Sequence, residues 1–140
     1  MTVKDIKEMA LGFGACDLIE GADSLKSLVD VMRTPQGREF CKKHCFPTLD
    51  VLRQYKDELA QMNVFVDAGT IETTDVDNVI VAGETDAVIR FKSTDRPYYA
   101  IAMHGANAKV IAYGYSICQI VNIGGNIEMH ESKNANIYMK

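Results

Sequence analysis

The chain of 140 residues lacks any apolar run near the ~20 residues that a membrane-spanning helix needs. Its first ten residues, MTVKDIKEMA, carry four charges and no apolar signal core, so we expect no secretory signal and a cytoplasmic location. The four cysteines lack the spacing of a disulfide framework, which favours reduced and mostly buried thiols. These cysteines are Cys16, Cys41, Cys45 and Cys118.

The sequence also lacks the motifs that identify common enzyme sites. No GxGxxG, P-loop or HExxH pattern occurs, and we predict no cofactor. Positive charge is not in excess, because 15 Lys and Arg stand against 19 Asp and Glu, for a formal net charge of −4. That balance argues against a general nucleic-acid binder.

The apolar residues that are present change their spacing near Asn63. Before this point they recur at helical intervals, and after it they form short alternating runs. The pattern predicts an α+β protein, with a helical head over residues 1–62 and a repetitive β tail over residues 63–140. The two parts are expected to pack together, and they could form a single compact unit.

Capping residues divide the head into three or four short helices. Thr2 with Asp5 resembles a capping box, Thr34 with Pro35 is a typical helix start, and Thr48 follows Pro47, which ends the preceding helix. The predicted helices cover about 2–11, 24–33, 35–44 and 49–60.

The tail shows strand-like runs whose apolar centres recur every 7 to 12 residues, separated by turn residues. A short fixed period with one strand per repeat predicts a β-solenoid, whose first rung the head would cover. The alternative is an antiparallel meander or sandwich. Few turns here carry the Asn-Gly or Asp-Gly pair that favours hairpins, so we prefer the solenoid.

Cys41, His44 and Cys45 lie on one face of the third predicted helix and are the candidate metal ligands. Cys16, Cys118 or a tail histidine would complete a zinc site. Alternatively, either helical thiol could act as a nucleophile beside Lys42, Lys43 and His44. The simpler interpretation, which we prefer, assigns Phe40, Cys41 and Cys45 to the core and leaves no metal.

Residues 37–56 resemble a helix-turn-helix and form the most basic part of the chain. In that hypothesis one set of side chains reads base edges and a second set contacts phosphates. The first set is Thr48, Asp50, Arg53 and Gln54, and the second is Lys42, Lys43 and Lys56. The alternative is a helical hairpin that packs on the tail.

Acidic residues cluster in the first half of the tail and could supply an acid/base pair for a small hydrolase. They are Asp67, Glu72, Asp75, Asp77, Glu84, Asp86 and Asp95. His104 and His130, which each follow a methionine, could face one side of the tail. The alternative places all these groups on a solvated surface.

Arg96, Tyr98 and Tyr99 form an exposed-looking cluster in a predicted loop. Tyrosine and arginine are enriched at binding hot spots, so we predict a protein contact here. The alternative is a strand with one tyrosine inside and one outside.

Four stretches, GFGACDLIEGADSLKSL, TPQGREFC, FPTLD and VFVDAGTI, resemble a family of small uncharacterised proteins of mobile elements and phages of gut bacteria. The resemblance covers most of the chain. It implies a helical head, a tail of repeated strands and no transferable catalytic residue. It also favours a role in binding another macromolecule.

We therefore predict a non-enzymatic protein-binding or assembly module, one form of which would antagonise a host protein. Its partner would be another protein or a second copy of this chain. A DNA-binding regulator and a small hydrolase are the alternatives. The predicted contact residues are Arg96, Tyr98, Tyr99, Lys42, Lys43 and Arg53.

Overall fold

The structure is a computed structural model that describes residues 2–15 and 19–140. Two compact units are present, Met1–Val51 and Leu52–Lys140. The predicted change from helix to strand near Asn63 is confirmed. The helices are α1 (Val3–Gly12), α2 (Leu25–Met32), α3 (Pro35–His44), α4 (Leu49–Gln54) and α5 (Lys56–Ala60). No helix among the described residues is both long enough and apolar enough to cross a membrane.

Side-chain caps start the helices where the sequence predicts them. Thr2 Oγ1 accepts the Asp5 N–H at 3.2 Å, and the Thr2 N–H donates to the Asp5 carboxylate at 2.8 Å. Thr34 Oγ1 accepts the Gly37 N–H at 3.0 Å, with Pro35 in the first helical position. Such caps satisfy amides that have no partner within the helix.

The prediction of one continuous fourth helix is wrong, because this segment divides into α4 and α5 at Tyr55. The backbone there has φ −110° and ψ 21°, and Tyr55 supplies no side-chain cap to α5. Both pieces are short, which agrees with stabilisation by packing more than by helix propensity.

The tail is a β-solenoid of about four turns, as predicted. All strand pairs between named elements are parallel, so the antiparallel alternative is wrong. One sheet has the order β1-β3-β5-β7-β9 and the other the order β2-β4-β6-β8. The strands are β1 (Val64–Val66), β2 (Gly69–Thr74), β3 (Val79–Ala82), β4 (Thr85–Phe91), β5 (Tyr98–Met103), β6 (Asn107–Ala112), β7 (Ile117–Ile123), β8 (Asn126–Glu131) and β9 (Asn136–Met139).

Each full turn of the solenoid contains two strands, one in each sheet. Val64 pairs with Ile80, 16 positions further on, and Val79 pairs with Ala100, 21 positions further on. The interval of about ten residues in the sequence therefore corresponds to half a turn. One strand per sequence repeat is therefore one strand per half turn, because successive strands lie in opposite sheets.

The core lies between the two sheets, where alternate side chains point inward. In β4, for example, Ala87, Ile89 and Phe91 are buried between more exposed neighbours. The Phe91 ring stacks on Tyr98 of β5, with centroids 5.0 Å apart. Each buried aliphatic or aromatic side chain contributes about 1.5–3 kcal/mol to stability, so this stacked interior holds the turns together.

The central part of the five-stranded sheet, β3 and most of β5, is buried on both faces. Its core-facing residues alternate with Ile80, Ile101 and Met103, which are at most 1% exposed. Within the same unit, α5 packs against β1. Burial on both faces explains why β3 is a continuous apolar run, VIVA, and not an alternating one.

The sequence failed to predict β2, whose residues GTIETT are mostly polar. Its partner β4 pairs with it along all six positions, from Gly69↔Thr85 to Thr74↔Arg90. Only Ile71 supplies an aliphatic side chain to the core side. Backbone pairing with a strong neighbour therefore forms this strand, and hydrophobic periodicity does not reveal it.

Candidate functional site

Three carboxylates of the tail bind backbone amides of the following turn. Asp67 Oδ1 accepts the Glu84 N–H at 2.8 Å, and Asp75 Oδ1 accepts the N–H groups of Lys92 at 2.7 Å and Ser93 at 3.1 Å. Asp77 Oδ1 accepts the Tyr99 N–H at 3.1 Å. These bonds join one turn of the solenoid to the next, which gives the three aspartates a structural role.

Two other acidic candidates, Asp95 and Glu72, are also held by neighbours. Asp95 accepts the Ser93 hydroxyl at 2.6 Å and the Tyr98 hydroxyl at 2.8 Å. These hydrogen bonds, that from Ser93 first, lower the pKa of Asp95 to about 2, so the group stays ionised near neutral pH and is a poor general acid. Glu72 pairs with Arg90 at 3.4 Å.

The two tail histidines lie toward opposite ends of the four-stranded sheet. His104 is in the turn before β6, with φ +50°, whereas His130 pairs with Ile111 near the end of that strand. His130 Nε2 is 3.1 Å from Glu128 Oε1 on the exposed face of β8. The structure therefore does not bring the histidines together.

The cysteine cluster of α3 divides between the interior and the surface. Cys41 is 2% exposed, and burial raises the pKa of its thiol to about 12, which suppresses the reactive thiolate. Cys45 ends the helix with φ +49° and is exposed, so its predicted place in the core is wrong. The centroid of the His44 ring lies 5.3 Å from that of the Phe13 ring and 4.6 Å from that of the Phe40 ring.

No group of three or more potential metal-binding side chains occurs in the part of the chain that the structure describes. Cys41, His44 and Cys45 therefore do not form such a group. Cys16, a possible fourth ligand in the sequence hypothesis, lies outside the described residues. Cys118 is fully buried in β7, and burial raises its pKa to about 12 as well.

The basic segment over residues 37–56 crosses the boundary between the two compact units. Lys42 and Lys43 are exposed on α3. Arg53 instead binds the Asp67 carboxylate, with Nε 2.6 Å from Oδ2, and Lys56 donates to the Asp67 carbonyl at 3.0 Å. Two cations assigned to a nucleic-acid surface therefore hold the first turn of the solenoid.

The prediction that Tyr98 is an exposed contact residue is wrong. Tyr98 starts β5, is 4% exposed and points into the core against Phe91. Tyr99 is half-buried on the opposite side of the strand, and Arg96 is exposed with Nε 3.3 Å from Asp95 Oδ2. The alternative of one tyrosine in and one out describes the strand correctly.

Sequence reasoning missed a group of exposed apolar side chains in the last two turns. Among the described residues, eight large hydrophobic side chains are exposed, and six of them fall between 113 and 139. These six are Tyr113, Tyr115, Ile117, Met129, Tyr138 and Met139. The two tyrosines flanking Gly114 in a turn were the available signal. The others lie in strands, where apolar residues are normally assigned to the core.

The outer face of the four-stranded sheet carries a shallow groove of about 380 Å³. Asp86, Asn107 and Asn126 stand in register along it, and Asn107 Nδ2 donates to Asp86 Oδ1 at 2.7 Å. These three side chains give the groove a line of hydrogen-bonding groups. Its lining includes the carboxylates of Asp86 and Glu128 and contains no cysteine or histidine.

Comparison of the chain with protein-family models, with curated proteins and with solved structures finds no match.

Proposed function

We propose that the chain is a non-enzymatic protein-binding module whose contact surface lies on the last two turns of its solenoid. The observation that carries this proposal is the concentration of exposed apolar side chains between residues 113 and 139. Scattered single apolar residues are normal on a protein surface, whereas a grouped set is typical of an interaction site.

The turn between β6 and β7 supplies the aromatic part of this surface. Tyr115 is 70% exposed, Tyr113 is 37% exposed and Ile117 begins the next strand at 43%. The Lys92 ammonium lies 5.3 Å from the centre of the Tyr113 ring. We call these four residues the tyrosine surface. Tyrosine is enriched at interfaces because it offers a large contact area with few rotatable bonds.

The predicted contact residues contribute unequally to this proposal. Tyr99 pairs with Gln119, which in turn pairs with Tyr138. Tyr99 and the exposed Tyr138 therefore lie at the same level along the strands of the five-stranded sheet. Arg96 lies in the turn before β5 and remains an accessible cation. Lys42 and Lys43 form a separate candidate surface on α3.

The functional groups of the tail favour binding over catalysis. Asp67, Asp75 and Asp77 are engaged in backbone hydrogen bonds, and Cys118 is buried. A hydrolase would need two carboxylates facing one substrate site. The two that line the outer groove already have neighbours, because Asp86 accepts a hydrogen bond from Asn107 and Glu128 lies 3.1 Å from His130. A partner encoded by a bacterial host would be the form of this proposal that the mobile-element resemblance favours.

The proposal is tested by capture from a bacterial lysate on immobilised chain, comparing wild type with a Tyr113→Ser, Tyr115→Ser double variant. Leu11→Ser is the matched control, because Leu11 is a similarly exposed apolar residue in the helical unit. The captured protein is then purified and its affinity measured. Loss of two contact tyrosines should weaken binding at least roughly tenfold, and the control should not.

Equal affinity of all three chains for the partner would contradict the tyrosine surface. Retention of nucleic acid alone, with affinity that falls steeply as salt increases, would favour the helix-turn-helix hypothesis for residues 37–56.

A further inference from the structure

The solenoid has a stepped end formed by β8 and β9. Each is the last strand of its sheet, β8 beside β6 and β9 beside β7. Because β9 follows β8 by half a turn of the solenoid, it extends beyond β8 along the solenoid axis. We call this end the stepped edge.

The backbone of the stepped edge has hydrogen-bonding groups that point away from the solenoid. The N–H groups of Asn126 and Ser132 donate to the β6 side, so by strand alternation those of Ile127, Met129 and Glu131 point outward. In β9 the N–H groups of Asn136 and Lys140 donate to β7. Those of Ile137 and Met139 therefore point outward.

We propose that the stepped edge binds a second copy of this chain, related by a two-fold axis parallel to the strands. This inference goes beyond the proposed function, because the stepped edge includes neither Tyr113 nor Tyr115. The rotation places β9 of the second copy beside β8, antiparallel to it, and β8 of the second copy beside β9. The two steps fit each other, and each composite sheet would contain nine strands, five from one copy and four from the other.

The core of the solenoid indicates the register of this contact. Phe91 stacks on Tyr98 across the core, so these positions lie at one level along the strands. Strand pairing relates Phe91 to Ala112 and Glu131, and it relates Tyr98 to Cys118 and Ile137. Glu131 and Ile137 are therefore level. The rotation leaves the level along the strands unchanged. Met129, two residues before Glu131, therefore faces Met139 of the second copy, two residues after Ile137. Both methionines are among the residues whose N–H groups point outward.

Side-chain chemistry agrees with this register. Met129 is 42% exposed and Met139 is 45% exposed, and the contact would cover both with apolar surface. On the outer face, Glu128 would meet Lys140 of the second copy. Glu128 already has Lys109 beside it in β6 and His130 at 3.1 Å within β8. β9 itself has no charged side chain, and the lysines Lys133 and Lys140 flank it, so the acidic strand β8 would face a strand with basic flanks twice in the dimer.

Sedimentation equilibrium on the purified chain tests the inference. We expect a dimer of about 31 kDa, twice the 15.5 kDa of one chain, that dissociates on dilution. Glu128→Lys or Lys140→Glu alone places like charges opposite each other twice, and each should raise the dissociation constant roughly 10- to 100-fold. An equimolar mixture of the two variants restores both opposite-charge pairs, so it should form a heterodimer.

Glu84→Lys is the control for net charge, because Glu84 lies on an exposed turn between β3 and β4. Met129→Pro is a second variant: it removes an outward N–H without removing a bond to β6, and it should abolish the dimer. Circular dichroism confirms that each variant is folded.

A monomer at all concentrations would overturn the inference, and so would a dimer that none of these changes weakens. In either case, capture that depends on Tyr113 and Tyr115 would leave the proposed function standing. If the dimer forms as expected and no tyrosine-dependent partner is found, the proposed tyrosine surface fails and the stepped edge stands alone.

Discussion

Arg53 and Asp67 form an ion pair that joins the end of α4 to the turn after β1, with Nε and Oδ2 2.6 Å apart. The other oxygen of Asp67 accepts the Glu84 N–H from the next turn of the solenoid. The hydrogen bond from Arg53, followed by that from the Glu84 amide, lowers the pKa of Asp67 below its ordinary value of 3.8. One carboxylate thus connects three segments of the second compact unit.

We predict that Arg53→Ala lowers the free energy of unfolding of this unit by about 1 kcal/mol. The figure is small because the arginine side chain is 44% exposed and water screens the pair. Urea unfolding followed by tyrosine fluorescence measures it, since all six tyrosines lie in Leu52–Lys140. Lys43→Ala is the control. Unchanged stability of the Arg53 variant, together with loss of salt-dependent DNA binding, would support the regulator hypothesis instead.

Asp75 provides a sharper test of the structural role of the tail carboxylates. We predict that Asp75→Ala costs about 2 kcal/mol, because two amides, those of Lys92 and Ser93, lose their acceptor. Asp75→Asn should cost much less, because an amide oxygen also accepts and asparagine tolerates the φ of +54°. Glu84→Ala is the control, and urea midpoints give the values. Equal losses for the alanine and asparagine variants would show that charge, and not the hydrogen bonds, matters.

The depressed pKa of Asp95 predicts a stability change in acid. A carboxyl whose pKa is lowered by folding stabilises the protein above its unfolded pKa, and this contribution disappears as pH falls through the folded pKa. For Asp95 the window runs from about pH 4 down to about pH 2. As pH falls across this range, the midpoint temperature of thermal unfolding should decrease less steeply for Asp95→Asn than for wild type. Parallel curves would contradict the assignment.

Thiol reactivity distinguishes a catalytic or metal-binding cysteine from a structural one. We predict that iodoacetamide at neutral pH modifies Cys45 rapidly in the folded chain, because it is exposed. Cys41 and Cys118, whose pKa values burial raises to about 12, should react only after urea is added. Peptide mass spectrometry separates the sites. Rapid modification of Cys41 in the folded chain would reopen the nucleophile hypothesis.

Much of the fold could be predicted because its determinants are local. Thr2, Thr34 and Thr48 accept the amides that their positions before each helix suggest. In the tail, the spacing of apolar residues locates eight strands and favours a solenoid. It does not reveal that alternate strands lie in different sheets, since one strand pattern fits either arrangement. The polar strand β2 depends on its pairing with β4, which no local pattern records.

The candidate site was harder to predict because it depends on which side of a strand a residue occupies. Tyr98 and Tyr99 differ by one position, yet Tyr98 is buried and Tyr99 is half-buried. Met129 and Met139 have the inward alternation of core residues and are exposed because they lie on edge strands. Cys45 leaves the core because it ends its helix. Edge positions and helix ends follow from the assembled fold and not from residue type.

Hydrogen–deuterium exchange on the assembled protein is the most direct test of the central claim, that other chains bind to the last two turns. The exchange of each segment would be compared between the dilute chain and the chain at high concentration or saturated with a captured partner. We predict new protection within residues 113–139, in the tyrosine surface or the stepped edge, and little change in α3. Protection confined to residues 37–56, with none between 113 and 139, would contradict the account.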